Sequence, residues 1–416
     1  MSATRRKRVT VVTGGHLSTC PRMLKAADAL HAAGFGVRVV STRSLDWAVA
    51  ADRETRKTRD WTWNVIDYQR GSGEALRLWS GIRMRAASSI VDVLDGSAPF
   101  TIAARAYARI HPELVRAIVD DPGDLIYAGT GAALAAAAVA ASRTDVPYAL
   151  DLEDLYSGEH GDTDPARDAL AALLEQRTLA DARFLTTASE PMQAAYEARY
   201  RVSPTVLHNV VPLPRSRFEA DAATGGAFRM YWFSQTIGAG RGLELVVQAA
   251  GQLPCASELH LRGREAAEYL ETLRVLQRAV APALSIVHHP PAPPDDMVRL
   301  CIPYDVGLAT ELPVSPNKRV CISNKIFTYL AAGLPVAASD TPGQRVVAEQ
   351  DPYAVKTFSA GDPNSLAAIL RCWAQHPPLL SAARRAAWQA AARRWHWEHA
   401  DESGKLVALV RQAIGA

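Results

Sequence analysis

The N-terminal part of the chain contains the pattern that most narrows the choice of fold. Residues 9–12, Val-Thr-Val-Val, form a mostly apolar run of strand length, a glycine pair ends it, and Pro21 opens a stretch with apolar residues at helical spacing. Two further glycines end that stretch, and residues 37–40, Val-Arg-Val-Val, form a second, mostly apolar run. A buried strand, a glycine loop, a helix and another buried strand predict a parallel, doubly wound sheet.

The same alternation continues along the chain. Predicted strands lie at residues 125–128, 147–150, 184–188 and 206–208, and in the second half at 229–233, 258–261, 284–287, 306–309 and 335–338. Predicted helices of the second half lie at 242–252, 265–280, 295–302 and 324–332. We therefore expect an α/β protein with two Rossmann-like, doubly wound parallel-sheet domains that face a cleft, followed by a C-terminal helical tail.

The domain boundaries follow from the places where this alternation stops. Between residues 212 and 226 the sequence is dominated by Pro, Arg, Asp, Ala and Gly, which is typical of a linker. We predict an N-terminal domain at residues 1–211 and a C-terminal domain at 227–375. The helices predicted at 376–416 are expected to cross back to the first domain.

Composition excludes several classes of protein. A net charge of +3 in 416 residues is too small to favour nucleic acid as a partner. The five cysteines are odd in number and form no CxxC pair, so we expect a reduced, cytoplasmic protein without a zinc site. No apolar run reaches the ~18 residues that a membrane-spanning helix needs.

Residues 76–94, LRLWSGIRMRAASSIVDVL, have the pattern of a basic amphipathic helix. Two interpretations remain open: a surface helix of the first domain, or a helix that faces an acceptor or a membrane. Peripheral membrane contact is therefore one hypothesis that the sequence raises.

The loop TGGHLSTCPR, residues 13–22, follows the first predicted strand. Its glycine pair allows backbone amides to approach a ligand at a helix N-terminus, where anions bind well. Gly15 and His16 are therefore candidates for contact with phosphate or sugar, and a tight strand-to-helix turn is the alternative. The loop lacks the GxGxxG spacing of dinucleotide-binding proteins.

Three carboxylates follow a predicted buried strand in ALDLEDLYSGEH, residues 149–160. Charges at the carboxyl end of a strand are costly to desolvate unless they have partners or a ligand there. Asp151, Glu153 and Asp154 are therefore candidates to orient an acceptor hydroxyl or a sugar. Their spacing does not suggest a metal site.

The segment FSQTIGAGRGLELVV, residues 233–247, contains three glycines that also fail the GxGxxG spacing. Arg241 lies just before a predicted helix and after a strand whose end faces the predicted cleft. A guanidinium in this place can neutralise a diphosphate. A solvated surface arginine is the alternative.

A long polar loop, DVGLATELPVSPNKRVCISNK at residues 305–325, connects a predicted strand to a short helix. Ser323 is a natural N-cap for that helix, and the free amides that follow it predict an anion site. Lys325 in the first turn opposes the helix macrodipole, and a bound diphosphate would remove this conflict. Glu311 and Asn324 lie in the same loop.

Four segments share a pattern with one known enzyme family. They are HNVVP at 208–212, FSQTIGAGRGLELVVQAA at 233–250, IVHHPPAPPDDMVRLCIPYDVGL at 286–308 and SNKIFTYLAAGLPVAASDTPGQ at 323–344. With these segments the chain resembles the GT-B fold nucleotide-sugar glycosyltransferases, specifically the large retaining family four. The resemblance covers nearly the whole chain and is strongest in its second half.

The resemblance also implies site residues. In the family's phosphate-binding segment, Gln235 stands where arginine is usual, Arg241 stands where lysine is usual, and Gly240 precedes it. His289 falls in a segment similar to the loop near the nucleotide base.

Two features of the family are missing from the sequence. The family has two glutamates eight residues apart, of which the second usually binds the ribose hydroxyls; here the positions hold Val320 and Thr328. A histidine expected in the first domain is also absent, and Tyr127 or Gly129 stands in that region. Glu311, in the same loop, is a candidate to substitute for a missing glutamate in donor binding.

The resemblance implies transfer of a hexosyl-like group with retention of configuration, without a metal or another cofactor. The donor is then a UDP- or GDP-linked sugar, and the acceptor is a small molecule or a glycolipid. Arg241, Lys325 and the amides after Ser323 are expected to stabilise the leaving diphosphate. The loop with His16 and the carboxylates of 151–154 are expected to orient the acceptor.

Three other functions remain open at this point. The first is a catalytically silent relative that binds nucleotide sugars, and the second is an enzyme of the same fold with an amine or thiol acceptor. The third is a nicotinamide-dependent oxidoreductase, which the sequence disfavours because neither half has GxGxxG followed by an acidic residue ~20 residues later.

Overall fold

The computed structural model describes residues 6–94, 98–214, 226–266, 268–398 and 402–415. The chain forms two compact units. Unit 1 comprises Met1–Leu207, Ser315–Asn317 and Ala400–Ala416, and unit 2 comprises His208–Val314 and Lys318–His399. Most of the predicted linker, residues 215–225, lies outside the described residues.

Unit 1 is built on a seven-stranded sheet in which all neighbouring strands are parallel. The strands are β1 (Arg8–Thr13), β2 (Gly36–Arg43), β3 (Thr62–Asp67), β4 (Leu125–Gly129), β5 (Tyr148–Leu152), β6 (Leu185–Thr187) and β7 (Thr205–Val206). Their order is β3-β2-β1-β4-β5-β6-β7. The strand order therefore reverses between β1 and β4, whose carboxyl ends form the usual ligand-binding edge of such a sheet.

Helices connect the strands of unit 1. They are α1 (Pro21–Ala32), α2 (Val49–Lys57), α3 (Glu74–Leu94), α4 (Phe100–Tyr107), α5 (His111–Asp120), α6 (Gly131–Thr144), α7 (Pro165–Thr178) and α8 (Glu190–Tyr200). Proline stands in the first turn of α1, α5, α7 and α8, where its missing N–H costs nothing. The side chains of Asp164 and Ser189 cap α7 and α8 by accepting from backbone amides.

Unit 2 is built on a second parallel sheet, of six strands. The strands are β8 (Phe228–Ile237), β9 (Ser257–Glu265), β10 (Leu284–His289), β11 (Val306–Ala309), β12 (Val336–Ser339) and β13 (Val355–Phe358). Their order is β10-β9-β8-β11-β12-β13, so this sheet reverses its strand order between β8 and β11. Neighbouring β8 residues belong to different cores, Trp232 to one and Tyr231 to the other, because helices cover both faces of the strand.

The helices of unit 2 follow the same scheme. They are α9 (Leu243–Ala250), α10 (Tyr269–Val280), α11 (Met297–Cys301), α13 (Asn324–Ala331), α14 (Pro342–Gln350), α15 (Pro363–Gln375) and α16 (Pro377–Arg393). The short helix α12 (Pro316–Val320) is divided, because its first two residues belong to unit 1 and the rest to unit 2. The last helix, α17 (Ser403–Ile414), belongs to unit 1 and packs on α1. Its Leu406 and Val410 are buried in the same core as Val9 and Met23.

The two parallel α/β sheets that the sequence predicts are confirmed. The prediction was wrong in omitting β3 and β13, each of which is one of the two edge strands of its sheet. It also placed α12 in a loop. Both missed strands carry exposed residues, as in Thr62 and Asn64 of β3, and therefore lack the continuous apolar run that marks a central strand.

Candidate functional site

In unit 2, the loop after β8 meets the end of β11 at the point where the strand order reverses. The Thr310 hydroxyl donates to the Arg241 carbonyl oxygen at 2.8 Å. Gly242 has φ +72°, and a Cβ at this position would lie 2.3 Å from the Thr310 carbonyl oxygen. Only glycine fits this place, so the glycine loop lies directly against the residue that precedes Glu311.

Glu311 joins the end of β11 to the N-terminus of α13. Its Oε1 accepts from Lys325 Nζ at 2.5 Å and from the Ser323 hydroxyl at 2.7 Å. The Glu311 carbonyl oxygen accepts from the Ser339 hydroxyl, at the end of β12, at 2.6 Å. Glu311 and its neighbour Thr310 thereby hold together four segments at the carboxyl edge of the sheet: the ends of β11 and β12, the glycine loop, and the N-terminus of α13.

One oxygen of the Glu311 carboxylate accepts hydrogen bonds, and the other accepts none within the described residues. Burial would raise its pKa, but the Lys325 ammonium and the hydrogen bonds from Lys325 and Ser323 outweigh burial and hold the pKa below its usual value. Oε2 is buried and accepts no hydrogen bond within the described residues. A buried acceptor without a partner is costly, and it is the kind of group that a ligand hydroxyl satisfies.

The sequence prediction for Ser323 needs a correction. Ser323 is the N-cap residue of α13 by position, but its hydroxyl donates to Glu311 and does not accept from the helix amides. Lys325 likewise has a counter-ion in Glu311, so the conflict of its charge with the helix dipole is already relieved without a diphosphate. No side chain caps α13, and its first turn contains no acidic residue.

The other predicted donor residues of unit 2 differ in their exposure and in their hydrogen bonds. Arg241 is exposed, and its guanidinium donates to the Ser234 hydroxyl at 3.1 Å. Gln235 and Asn324 are exposed, and Gly240 has φ +75° in open space. Thr328 is buried, and its hydroxyl donates to the Asn324 carbonyl oxygen of its own helix at 3.3 Å.

His289 lies at the end of β10, two strands from β8 in the sheet. Its Nε2 lies 2.9 Å from Nδ1 of His260, and His260 Nε2 lies 2.8 Å from the Glu258 carboxylate. The two imidazoles stack with centroids 5.2 Å apart. Burial and the nearby Arg262 lower the pKa of His289, which favours its neutral form.

In unit 1, the corresponding edge is formed by the glycine loop after β1 and the end of β4. The Gly14 amide donates to the Thr130 hydroxyl at 2.9 Å, and the Gly15 carbonyl oxygen accepts from the Thr42 amide at 3.0 Å. Thr130 has φ +74°, which is rare for a β-branched residue. A strained residue at this edge is typical of a functional site.

The structure does not support His16 as a ligand contact. His16 is almost completely buried, and its Nδ1 lies 2.7 Å from the Asp52 carboxylate. Its Nε2 accepts from the amides of Ser44 and Leu45, both at 2.9 Å. Both ring nitrogens are therefore occupied, and His16 ties three loops of unit 1 together.

Asp151 is likewise engaged in the interior. It is fully buried, and both its oxygens accept from the Arg22 guanidinium, at 2.7 and 2.5 Å. The Thr186 hydroxyl donates to it as well, at 2.5 Å. The charge at the end of β5 therefore has an internal partner, and the binding of an acceptor by Asp151 stays a prediction.

The side chains of Glu153 and Asp154 differ in their hydrogen bonds. Asp154 accepts from the Asn317 amide group at 2.7 Å. Glu153 is half-buried and makes no hydrogen bond or ion pair within the described residues. Burial, followed by the neighbouring carboxylates of Asp154 and Asp151, raises the pKa of Glu153 to about 8. Glu153 is therefore the carboxyl group of this segment that is available to a ligand.

Several important partners could not be found from sequence. Arg22 is 129 residues from Asp151, Asp52 is 36 residues from His16, and Asn317 is 163 residues from Asp154. Only the fold brings these pairs together, and no local pattern marks them. Among the described residues, no three His, Cys, Asp or Glu side chains are grouped as a metal site requires, and no helix is long and apolar enough to cross a bilayer.

Comparison with known proteins finds a family model that matches part of the chain. Residues 21–214 match the family model described as the glycosyl transferase 4-like domain. No curated protein matches the sequence.

Several solved structures share the fold over the whole chain. HepE from Anabaena, solved with UDP and glucose, has 15% identity and a TM-score of 0.67 over 99% of this chain and 100% of that chain. Sucrose-phosphate synthase from Thermosynechococcus elongatus has 14% identity and a TM-score of 0.67 over 99% and 100%. S. aureus TarM, solved as a mutant with Fondaparinux, alpha-GlcNAc-glycerol and UDP, has 7% identity and a TM-score of 0.67 over 99% and 100%. At these identities the likeness shows a common fold, the two-sheet GT-B architecture.

Proposed function

We propose that this chain, a glycosyltransferase of the GT-B fold, moves a sugar from a UDP-sugar to an acceptor hydroxyl with retention of configuration and without a metal. UDP is proposed because HepE and TarM were both solved with it. The acceptor is a small molecule or a glycolipid, and the reaction takes place in the cytoplasm.

The observation that carries this proposal is the cluster around Glu311. A lysine and an uncapped helix N-terminus stand beside a glycine loop at the carboxyl edge of a parallel sheet. Cations and free amides in such a place stabilise a diphosphate, both as a bound group and as the charge that develops when it leaves. Arg241, exposed at the rim of the same loop, adds a second cation.

The proposed reaction exchanges one bond at the anomeric carbon for another. The bond from the anomeric carbon to the diphosphate oxygen breaks, and both electrons leave with the diphosphate. The acceptor oxygen then forms its bond on the same face, and its proton passes to a diphosphate oxygen. Lys325 and Arg241 lower the barrier by holding the charge that the diphosphate gains.

Glu311 has two roles in this proposal. Through Oε1 it holds Lys325 and Ser323 in place, which fixes the ammonium group before the donor binds. Through the unpaired Oε2 it accepts from a hydroxyl of the donor. Thr328 does not take this second role, because it is buried and its hydroxyl donates to its own helix.

On the side of unit 1, Glu153 is proposed to contact the acceptor. Asp151 is bound to Arg22, and Asp154 is bound to Asn317, whereas Glu153 is free of hydrogen bonds within the described residues. With a pKa of about 8, its carboxyl is mostly protonated at neutral pH and donates a hydrogen bond to the acceptor.

A second candidate is a relative that binds UDP-sugars but does not transfer the sugar. The buried Thr328 favours it, since the family's ribose-binding glutamate is absent from that position. Both candidates predict binding of the nucleotide, but only the first predicts turnover, so a measurement of turnover separates them.

Thermal unfolding with UDP, GDP, UDP-glucose and NAD tests the proposal. We expect UDP to raise the melting temperature and NAD to leave it unchanged. Incubation with UDP-glucose should then release UDP, slowly in the presence of water alone and faster with an acceptor. If no nucleoside diphosphate shifts the melting temperature, the proposed function is wrong; binding without any release of UDP selects the silent relative.

A further inference from the structure

Helix α3 carries an unusual amount of exposed apolar surface. Of the thirteen large hydrophobic side chains exposed among the described residues, six lie on this helix: Leu78, Trp79, Ile82, Ile90, Val93 and Leu94. Leu78 is 59% exposed, Trp79 60% and Ile82 52%. Single exposed hydrophobic residues are common, but a group of six on one helix is typical of an interaction surface.

The exposed residues form one continuous stripe. At 100° per residue, Ala75, Leu78, Trp79, Ile82, Ala86, Ile90 and Val93 fall on the same side of the helix. The opposite side is anchored in unit 1: Ser80, Gly81 and Ala87 are buried, and α3 packs on α4. Since the inner side is already packed, the stripe is not needed for the core of unit 1.

Unpaired arginines accompany the stripe. Arg70 and Arg85 are exposed and Arg77 is half-buried, and none of the three side chains makes a hydrogen bond or an ion pair within the described residues. Arg83, by contrast, is bound to Glu113 at 2.6 Å. The acidic residues of α3 are Glu74, which accepts from the Gly71 amide at 3.2 Å, and Asp92 near its end. Cations therefore predominate beside the most exposed part of the stripe.

We propose that α3 docks unit 1 on a bilayer surface that contains anionic lipids. An interfacial helix binds in this way: its apolar face enters the boundary between headgroups and acyl chains, and its basic residues contact lipid phosphates. Trp79 suits this boundary because tryptophan has an apolar ring and a polar N–H. This inference concerns where unit 1 binds, and it stands apart from the proposed reaction.

A second copy of the chain fits the stripe less well. In a symmetric dimer the same patch meets itself, so Arg77 and Arg85 would face a surface equally rich in unpaired cations. Like charges in an interface oppose association. Phosphate groups supply the complementary charge that a second copy lacks.

Cosedimentation with vesicles tests the proposal. Vesicles of phosphatidylcholine mixed with phosphatidylglycerol are compared with vesicles of phosphatidylcholine alone, using the full chain. We expect the wild type to bind the anionic vesicles, and the combined Leu78→Ser, Trp79→Ser and Ile82→Ser variant to bind at least about tenfold more weakly. The matched control combines Val275→Ser and Leu379→Ser, which change residues that are 54% and 52% exposed on α10 and α16, and it should bind as the wild type does.

Two further measurements separate insertion from adsorption and from dimerisation. Arg70→Gln with Arg85→Gln should weaken binding and reduce its salt dependence, whereas Arg371→Gln, an exposed arginine of α15, should not. Brominated lipid should quench wild-type fluorescence, and Trp79→Phe should bind normally with less quenching. Absence of binding to anionic vesicles, equal binding by the triple serine variant, or a dimer in solution that the triple variant dissolves would each overturn the proposal.

Discussion

The Lys325 ammonium lies 2.5 Å from Oε1 of Glu311, fourteen residues earlier in the chain, and 5.3 Å from the centroid of the Trp232 ring. The ion pair and the ring fix the ammonium before any ligand is present. A side chain that is already immobilised loses little further entropy when a diphosphate binds. The same contact reduces its net charge, so the site depends on the neighbouring amides and Arg241 for the rest.

Lys325→Met should weaken UDP binding by about 10- to 100-fold, since it removes a charge-assisted contact to the diphosphate. Isothermal titration measures the change. Lys356→Met is the matched control, because Lys356 also lies near an aromatic ring, 5.9 Å from the Tyr353 centroid. Lys325→Met with Glu311→Gln avoids an unpaired buried carboxylate; if this double variant binds UDP as tightly as the wild type, the assignment of Lys325 is wrong.

Glu311→Gln should lower the free energy of unfolding by about 1–3 kcal/mol at neutral pH, because it breaks a partly buried ion pair. The pKa of Glu311 is lowered in the folded chain, so the stabilisation is present above its ordinary value of 4.5 and is lost as the pH falls through the lowered pKa. Urea unfolding between about pH 7 and about pH 3 measures this difference. The free energy of unfolding of the wild type should exceed that of Glu311→Gln at neutral pH, and the difference should disappear only at the acidic end. A constant difference across this range would contradict the pairing.

Gly242→Ala should reduce transfer strongly and destabilise unit 2 by more than about 2 kcal/mol, because its Cβ would collide with the Thr310 carbonyl oxygen, in a left-handed backbone. Gly240→Ala is the natural comparison. Its φ is +75°, but no atom lies within 4 Å of the added Cβ, so it should cost only about 1 kcal/mol. Equal effects in melting temperature and turnover would mean that the contact with Thr310 does not shape the site.

Glu153→Gln should raise the Michaelis constant for the acceptor with little change for the UDP-sugar. It should also change stability with pH. Folding raises the pKa of Glu153 from 4.5 to about 8, so the wild type loses stability relative to the glutamine variant as the pH rises between these values. The gap in melting temperature should thus widen from about pH 5 to about pH 8 and then level off. A gap that does not vary with pH would argue against a protonated Glu153.

Asp151→Asn should destabilise unit 1 by about 3–5 kcal/mol, because it leaves the buried Arg22 without its counter-ion. Replacing both partners, with Arg22→Met and Asp151→Leu, should recover much of this loss. Thermal unfolding of the single and double variants measures the coupling. If Asp151→Asn instead keeps the wild-type stability and changes only the acceptor's Michaelis constant, then Asp151 is a ligand contact after all.

The central strands and glycine loops of this chain could be predicted from its sequence, because each is marked by residues that are adjacent in the chain. The central strands β1 and β8 contain mostly apolar runs, at residues 9–12 and 230–233, and a glycine loop follows the end of each strand. The edge strand β13 has two adjacent exposed residues between two buried ones, and its four positions are too short a signal. The two missed strands, β3 and β13, lack a continuous apolar run, whereas the other two edge strands, β7 and β10, were predicted.

The site residues divide according to the distance of their partners along the chain. The arrangement of Gly242, Ser323 and Lys325 near one edge could be inferred, because each lies at the end of a predicted element. The roles of His16 and Asp151 could not, because each is decided by a partner that a different element supplies, Asp52 and Arg22. A charge at the end of a strand is either a ligand contact or an internal ion pair, and composition alone does not distinguish the two.

The packing of α17 on α1 has a consequence for synthesis on the ribosome. Leu406 and Val410, near the C-terminus, fill the core that β1 and α1 begin. The unit that emerges first from the exit tunnel therefore remains incomplete until translation reaches α17, while unit 2 is already finished. Until then a nascent chain exposes part of the apolar surface of unit 1, and this surface is where chaperones would be expected to bind.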